Sequence, residues 1–369
     1  MKKAKKAKMN ILMLMYGASV GGAELQFIEL ANYLSTTHRV RLVSLNGGGA
    51  LISAQVDQQI ETRVYHYSGY CNTALVLLKA FFDNLLYPSK SVVTTSFIGN
   101  TLGWAISVFC KRRLISLQTV SKCMRHPIMD RFVLRRFDAL IAGAADIKQY
   151  LIESGQDANR IHVVHNWVDF SKRKPSESVQ ETRRKLGVGE QLIIGCIGRL
   201  HPQKGQIYLI RAFVEVLLRY PDAVLLLVGD GETRQELGHE VSILGLTGHV
   251  VFTGTATGDE YNNFLLAIDV YVQPSVFEGL PRTLLDAMYM GKAIVATDIN
   301  GNVEAVQHGV NGLLVPSENV GDLRDALLQL LGNPNIRREF SRQATGTVKS
   351  RFSMDTQLKK IENLIINQQ

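Results

Sequence analysis

The sequence predicts an α/β protein built from two doubly wound domains, each a parallel sheet wrapped by helices. Three observations lead there. Short apolar runs of strand length alternate with helical segments, and the alternation occurs twice, on either side of a polar stretch around 166–187. At 369 residues the chain exceeds the ~250–300 beyond which a single core usually splits. Glycines follow several of the apolar runs, and ligands of such sheets sit at the carboxyl ends of the strands.

The first series opens at residues 10–16. The lysine-rich start M-K-K-A-K-K-A-K superficially mimics a signal peptide, but the apolar run spans only 11–16 and no small-residue cleavage site follows, so it reads as the first buried strand. The loop G-A-S-V-G-G-A-E then opens a helix over 24–35, with Leu25, Ile28, Leu30, Ala31 and Leu34 at helical spacing. Further strands are predicted at 40–45, 92–95, 114–117, 139–142 and 162–165. The second series runs through strands at 192–197, 223–228, 250–252, 270–272 and 313–315, with helices near 207–219, 234–244 and 259–266 between them. This gives an N-terminal domain over 1–170, a linker over 171–188, a C-terminal domain over 189–350 and a terminal helical segment over 351–369.

Composition narrows the function classes. No apolar run approaches the ~18–20 residues that span a bilayer, which predicts a soluble or peripheral protein. Cys71, Cys110, Cys123 and Cys196 have no metal-ligand spacing and nothing marks secretion, so reduced thiols and a cytoplasmic location are expected. The net charge of +8 is uneven: residues 1–150 carry 19 Lys/Arg against 8 Asp/Glu, and the remainder 22 against 25. No nucleic-acid module accompanies the basic half, so no nucleic-acid partner is expected. An anionic membrane surface or a diphosphate-bearing acceptor suits that charge, and so does a plain solvated surface.

Residues 274–298, P-S-V-F-E-G-L-P-R-T-L-L-D-A-M-Y-M-G-K-A-I-V-A-T-D, concentrate the chemistry. Glu278 falls in a loop after an apolar strand, Gly279, Leu280 and Pro281 form the turn, and 283–290 reads as a helix carrying Asp286 about one turn in. Two carboxylates with helix N–H groups between them suit a sugar nucleotide, which has hydroxyls at both ends and a diphosphate in the middle. Arg282 and Thr283 stand at that helix start. Earlier, G-R-L-H-P-Q-K-G places Gly198, Arg199, Lys204 and Gly205 after another strand, where fixed cations would stabilise a leaving diphosphate. Glycines also follow the strands at V-G-D-G-E (228–232) and F-T-G (252–254).

The run at 274–298 resembles the glutamate–seven residues–glutamate signature of glycosyltransferase family 4, retaining enzymes of GT-B fold, in which two Rossmann-like domains face each other across a crevice. Glu278 matches the first position, which in the family contacts the donor sugar. Asp286 stands in place of the second glutamate, which contacts the ribose, and is one methylene shorter. G-R-L-H-P-Q-K-G resembles the family's G-R-(x)4-K-G element, which assigns Arg199 and Lys204 to the diphosphate beside Glu278. The resemblance adds Gly21 and Gly22, within G-G-A-E, as glycines lying against the donor, and Thr253, Gly254 and Thr255 as lining for the base. Gly198, Gly279, Leu280, Arg282 and Thr283 complete the donor set. In the family a histidine or arginine often stands where Gln118 is found; with Lys122, Arg125 and His126 it forms the expected acceptor side. Asn166, Asp298, Gly301 and Glu304 match further family positions, and the resemblance implies that the terminal helix, read over 354–366, crosses back onto the first domain.

What the resemblance implies is a retaining transfer of a sugar from a UDP- or GDP-linked donor to a glycan acceptor, expected to be lipid-linked or a lipopolysaccharide intermediate at the inner face of the cytoplasmic membrane. The glycines of the first loop lack dinucleotide-fingerprint spacing, so no nicotinamide or flavin cofactor is expected. No Asp-x-Asp or histidine pair offers metal ligands, so the diphosphate charge falls to Arg199, Lys204 and the helix start, and a metal-independent reaction is expected. Two other readings fit the same residues: a soluble small-molecule glycosyltransferase or sugar phosphorylase, and a non-catalytic nucleotide-sugar-binding partner of another transferase.

Overall fold

The computed structural model describes residues 8–17, 22–66, 70–118 and 127–366. The chain divides into two compact units, one of residues 1–165 with 357–369, the other of 166–356. The first contains β1 (Asn10–Met15), α1 (Gly22–Ser35), β2 (Arg39–Ser44), α2 (Gly49–Gln55), β3 (Glu61–Val64), α3 (Tyr70–Leu85), β4 (Ser91–Thr95), α4 (Phe97–Phe109), β5 (Arg113–Gln118), α5 (Pro127–Leu134), β6 (Ala139–Ala142), α6 (Ala145–Glu153) and β7 (Ile161–Val163). Its strands pair in parallel in the order β3-β2-β1-β4-β5-β6-β7. Ile11, Leu12, Met13, Leu14 and Met15 are fully buried at the centre, as a strand covered on both faces requires. Asn100 on α4 ties that helix to the sheet, accepting from Thr94 Oγ1 at 2.6 Å and Ser116 Oγ at 2.7 Å.

The second unit contains α7 (Val179–Lys185), β8 (Ile193–Ile197), α8 (Gln206–Arg219), β9 (Val224–Val228), α9 (Arg234–Ile243), β10 (Val250–Gly254), α10 (Gly258–Ala267), β11 (Val270–Gln273), α11 (Arg282–Tyr289), β12 (Ala293–Thr297), α12 (Asn300–Val303), β13 (Leu313–Val315), α13 (Val320–Leu331) and α14 (Pro334–Arg351). These strands are parallel too, in the order β10-β9-β8-β11-β12-β13. Buried aliphatics of the strands pack against α8 and α13 through Leu209, Phe213, Leu327 and Leu330. Both units are therefore the doubly wound α/β sheets that the alternating pattern predicts.

Two details differ from the sequence pattern. The polar stretch after 166 is not bare chain: Ser178 caps α7, its side chain accepting from Glu181 N at 3.1 Å, and residues 172–177 are bonded to α10 through Asn262 and Asn263. Strand β3, E-T-R-V, has no apolar run because it is a polar edge strand. The terminal helix α15 (Met354–Ile366) joins the first unit from Gln357 onward, burying Leu358, Ile361 and Ile365 and bringing Glu362 Oε2 within 3.0 Å of the Tyr33 hydroxyl.

Candidate active site

In the second sheet the strand order reverses between β8 and β11. Chain connections leave these two neighbours in opposite directions, so the loops beyond their carboxyl ends part and leave room for a ligand. The two loops are the ones singled out by sequence, 198–205 and 274–281.

The first begins when the wholly apolar, buried β8 ends at Gly198. Arg199 is exposed, Leu200 turns back into the core, and His201 Nδ1 accepts from Gln203 N at 3.1 Å to start a single 3-10 turn over Pro202–Lys204. Gly205 closes the turn at φ +67°, and a Cβ there would lie 2.0 Å from the Pro274 carbonyl oxygen. Only glycine lets the turn press against the second loop. Two bonds then join the loops: Val276 N donates to Gln203 O at 2.8 Å, and Gln203 Nε2 donates to Phe277 O at 3.0 Å.

This junction brings the Lys204 ammonium into an ion pair with Glu278 Oε1. The same oxygen accepts from Ser275 Oγ at 2.9 Å and faces Gln273 Nε2 at 3.4 Å. Gln273 is fixed from behind, its Oε1 accepting from the Tyr271 hydroxyl at 2.8 Å and Thr283 Oγ1 at 3.3 Å. The Ser275 carbonyl accepts from Thr297 Oγ1 at 2.6 Å, and Asn302 Nδ2 donates to Thr297 O at 3.0 Å. Glu278 is thus positioned by a buried polar network reaching back to β12 and α12. Gly301 backs directly onto the loop: a Cβ there would fall 1.3 Å from Gly279 O.

The other residues named from the sequence are placed each by its own element. Arg282 and Thr283 begin α11, whose first turn has no side-chain cap, and Leu280 is buried beneath it with its carbonyl accepting from Asn166 Nδ2 at 2.5 Å. Thr253 is half-buried and Thr255 exposed at the end of β10, where Gly254 O accepts from Gly229 N at 2.8 Å. In the first unit Gly22 is the exposed first residue of α1, and Gln118 ends β5 with its Nε2 donating to Ser116 Oγ at 2.8 Å. Gly21, Lys122, Arg125 and His126 lie outside the described residues. Among the described residues no three His, Cys, Asp or Glu side chains group to hold a metal ion. Cys196, fully buried under the site, has its thiol pushed up to about 12 by burial and is no nucleophile.

The Asp286 carboxylate has partners within the protein. Expected to offer both oxygens to a ribose, Asp286 is 3% exposed and points inward from α11. Its Oδ2 accepts from the Tyr261 hydroxyl at 2.8 Å, and its Oδ1 lies 2.7 Å from Arg173 Nε, an ion pair. Arg173 also stacks over the Tyr261 ring at 5.2 Å. Burial first, and then the Asp286 charge, push the Tyr261 phenol well above its ordinary range, so it stays a donor. Sequence reasoning missed Arg173, Tyr261, Gln273 and Ser275. For the last two a signal existed, since polar residues flanking Pro274 directly after an apolar strand are placed to line the strand's carboxyl end.

Residues 178–347, nearly all of the second unit, match the family described as glycosyl transferases group 1. An uncharacterised glycosyltransferase of Methanocaldococcus jannaschii is 30% identical over 210 residues, 56% of this chain and 54% of that protein. A GDP-mannose-dependent monoacylated α-(1-6)-phosphatidylinositol monomannoside mannosyltransferase of Corynebacterium glutamicum is 28% identical over 286 residues, 74% of this chain and 70% of that one. The chain thus spans about half the length of the first relative and more of the second. Among solved structures, HepE of Anabaena in complex with UDP-glucose superposes with a TM-score of 0.86 at 25% identity, covering 97% of this chain and 99% of that one. The chain is thus similar, through its second unit, to the glycosyl transferases of group 1.

Proposed function

We propose that this protein transfers a sugar from a UDP- or GDP-linked donor to an acceptor hydroxyl with retention of configuration and without a metal ion. The observation that carries the reading is the Lys204–Glu278 pair, fixed between the two loops at the switch point of the second sheet. One of the three Lys204 N–H groups meets Glu278, and the others suit phosphate oxygens. Arg199 supplies a second, exposed cation on the same loop. As the bond from the anomeric carbon to the diphosphate breaks, negative charge grows on the leaving oxygen, where fixed cations and the α11 amides stabilise the transition state more than the ground state. The acceptor oxygen bonds to the anomeric carbon on the face the diphosphate leaves, and its proton passes to a phosphate oxygen. Glu278, with Oε1 committed to its own network, positions a sugar hydroxyl through Oε2.

The acceptor in this reading is a glycan or glycolipid intermediate presented at an anionic membrane surface, consistent with the basic first half of the chain. No helix among the described residues is long and apolar enough to cross a membrane. Gly22 and Gln118 are the described residues of the first unit assigned to the substrates.

The test is release of nucleoside diphosphate from a panel of UDP- and GDP-sugars by the purified protein, with and without acceptor. Glu278→Ala and Lys204→Ala are each expected to lower turnover by at least ~100-fold, the scale of losing one preorganised charge partner. Near-normal turnover in either variant overturns the site assignment, sugar-phosphate dependence would make the enzyme a phosphorylase, and binding without release would make it a nucleotide-sugar binder.

A further inference from the structure

The first unit leaves one apolar face uncovered. On α3, Leu75, Leu78 and Phe82 follow at i, i+3 and i+7, and Leu86 continues the stripe past the helix end, with exposures of 64%, 54%, 61% and 87%. The opposite side of the helix is the buried one, carrying Ala80 and Asn84. Val108 and Phe109, 61% and 71% exposed, end α4 beside it. Phe81 joins the two ends in edge-to-face contact with Phe82 at 5.2 Å and Phe109 at 5.6 Å, so the side chains form one patch. Soluble monomers seldom expose contiguous apolar surface of this kind without a partner for it.

Charge identifies the partner. Residues 70–136, the stretch that builds α3, α4 and α5, hold ten Lys/Arg against two Asp/Glu, a surplus of eight that equals the net charge of the whole chain; the other 302 residues carry 31 of each sign. Lys79 is exposed on α3 between Leu78 and Phe82, and Lys111 is exposed two residues after Phe109. The one described acid on α3, Asp83, accepts from the Tyr65 hydroxyl at 2.8 Å.

We propose that the stripe of α3 and the end of α4 dock the first unit on an anionic lipid bilayer, the apolar side chains entering the acyl boundary and the lysines meeting lipid phosphates. A second copy on the same face would set like charge against like charge, which disfavours self-association there. The inference rests on the membrane-acceptor reading above and names the surface that serves it.

Flotation with vesicles of phosphatidylcholine alone, and of phosphatidylcholine with about 30% phosphatidylglycerol, tests it at about 0.05 M and 0.5 M salt. The protein is expected to bind the anionic vesicles ~10-fold better than the neutral ones and to lose most of that binding at high salt. Phe82→Ser/Phe109→Ser and Lys79→Glu/Lys111→Glu are each expected to reduce anionic-vesicle binding by about 10-fold. All four side chains are exposed, so thermal melting and donor turnover with a water-soluble acceptor should match the parent protein. Equal binding to both vesicle types, no binding, or a double-serine variant that binds like the parent overturns the proposal. So does unchanged vesicle binding with a shift from dimer to monomer on gel filtration, which would assign the face to self-association. Loss of donor turnover in the parent protein with vesicle binding intact would remove the transferase reading and leave this one standing.

Discussion

Asp286 occupies the position where the family resemblance places a ribose-binding glutamate, and its carboxylate is held between Arg173 and Tyr261. The segment carrying Arg173 is fastened to the same helices elsewhere: Phe170 stacks on Tyr289 at 4.4 Å and 6°, and Asn262 Nδ2 donates to Lys172 O at 2.7 Å. A buried ion pair of this kind is weak evidence for net stability, yet removing one partner leaves the other charge uncompensated. Asp286→Ala is therefore expected to lower unfolding free energy by about 3 kcal/mol or more in urea titrations. Tyr261→Phe, which removes one charge-assisted hydrogen bond, should cost about 1.5–3 kcal/mol. If Asp286→Ala instead left stability intact and weakened only donor binding, Asp286 would be a ribose ligand.

At the scale of elements, Lys292 joins α10 to the start of β12. Its ammonium donates to the carbonyls of Leu266 at 2.8 Å and Ile268 at 3.0 Å, at the helix end where carbonyls lack intrahelical partners. Burial holds its pKa down to about 8, below the ordinary 10.5. Between those two values the unfolded chain binds more protons than the folded one, so stability rises with pH through that window; below about 8 the folded state carries the full penalty. From pH ~7.5 to ~9.5 this group should add about 2 kcal/mol to unfolding free energy. Replacing it by methionine removes that slope, while the opposing contribution of the Cys196 thiol, raised to about 12, is common to both proteins. Urea unfolding at the two pH values reads the difference, and identical slopes would contradict the assignment.

The elements that build the site were the legible ones. β8 and β11 are continuous apolar runs because helices cover both faces of the sheet, and the glycines at 198, 205 and 279 punctuate their ends visibly. Less could be read where partners are remote. Arg173 is one cation in K-R-K, and its acid lies 113 positions on, within another helix; no local periodicity links them. Ser275 looks like turn chemistry until the fold buries it against Glu278. Strand β3 exists only by pairing with β2, so its sequence carries little pattern of its own.

For the whole molecule, the first unit is built from two stretches, one before Asn166 and one after Thr356, and the second unit from the residues between them. Residues from Gln357 onward are held in the first unit by apolar burial at Leu358, Ile361 and Ile365, by Arg113 Nε donating to Leu364 O at 3.1 Å, and by Glu362, whose Oε1 lies 3.3 Å from His38 Nε2. The only two tryptophans are divided between the units, Trp104 in the first and Trp167 in the second. Each therefore reports its own core. Ile361→Ala removes a fully buried aliphatic group and should cost the first unit about 3 kcal/mol, within the usual range for such truncations. In a Trp167→Phe background the Trp104 urea midpoint should fall accordingly, while in a Trp104→Phe background the Trp167 midpoint should hold. Saturating UDP or GDP should raise the Trp167 midpoint by mass action and leave the Trp104 midpoint in place, because the proposed nucleotide residues other than the first-loop glycines belong to the second unit. A single transition shared by both reporters would instead show that the two cores unfold as one cooperative body, despite their separate sheets.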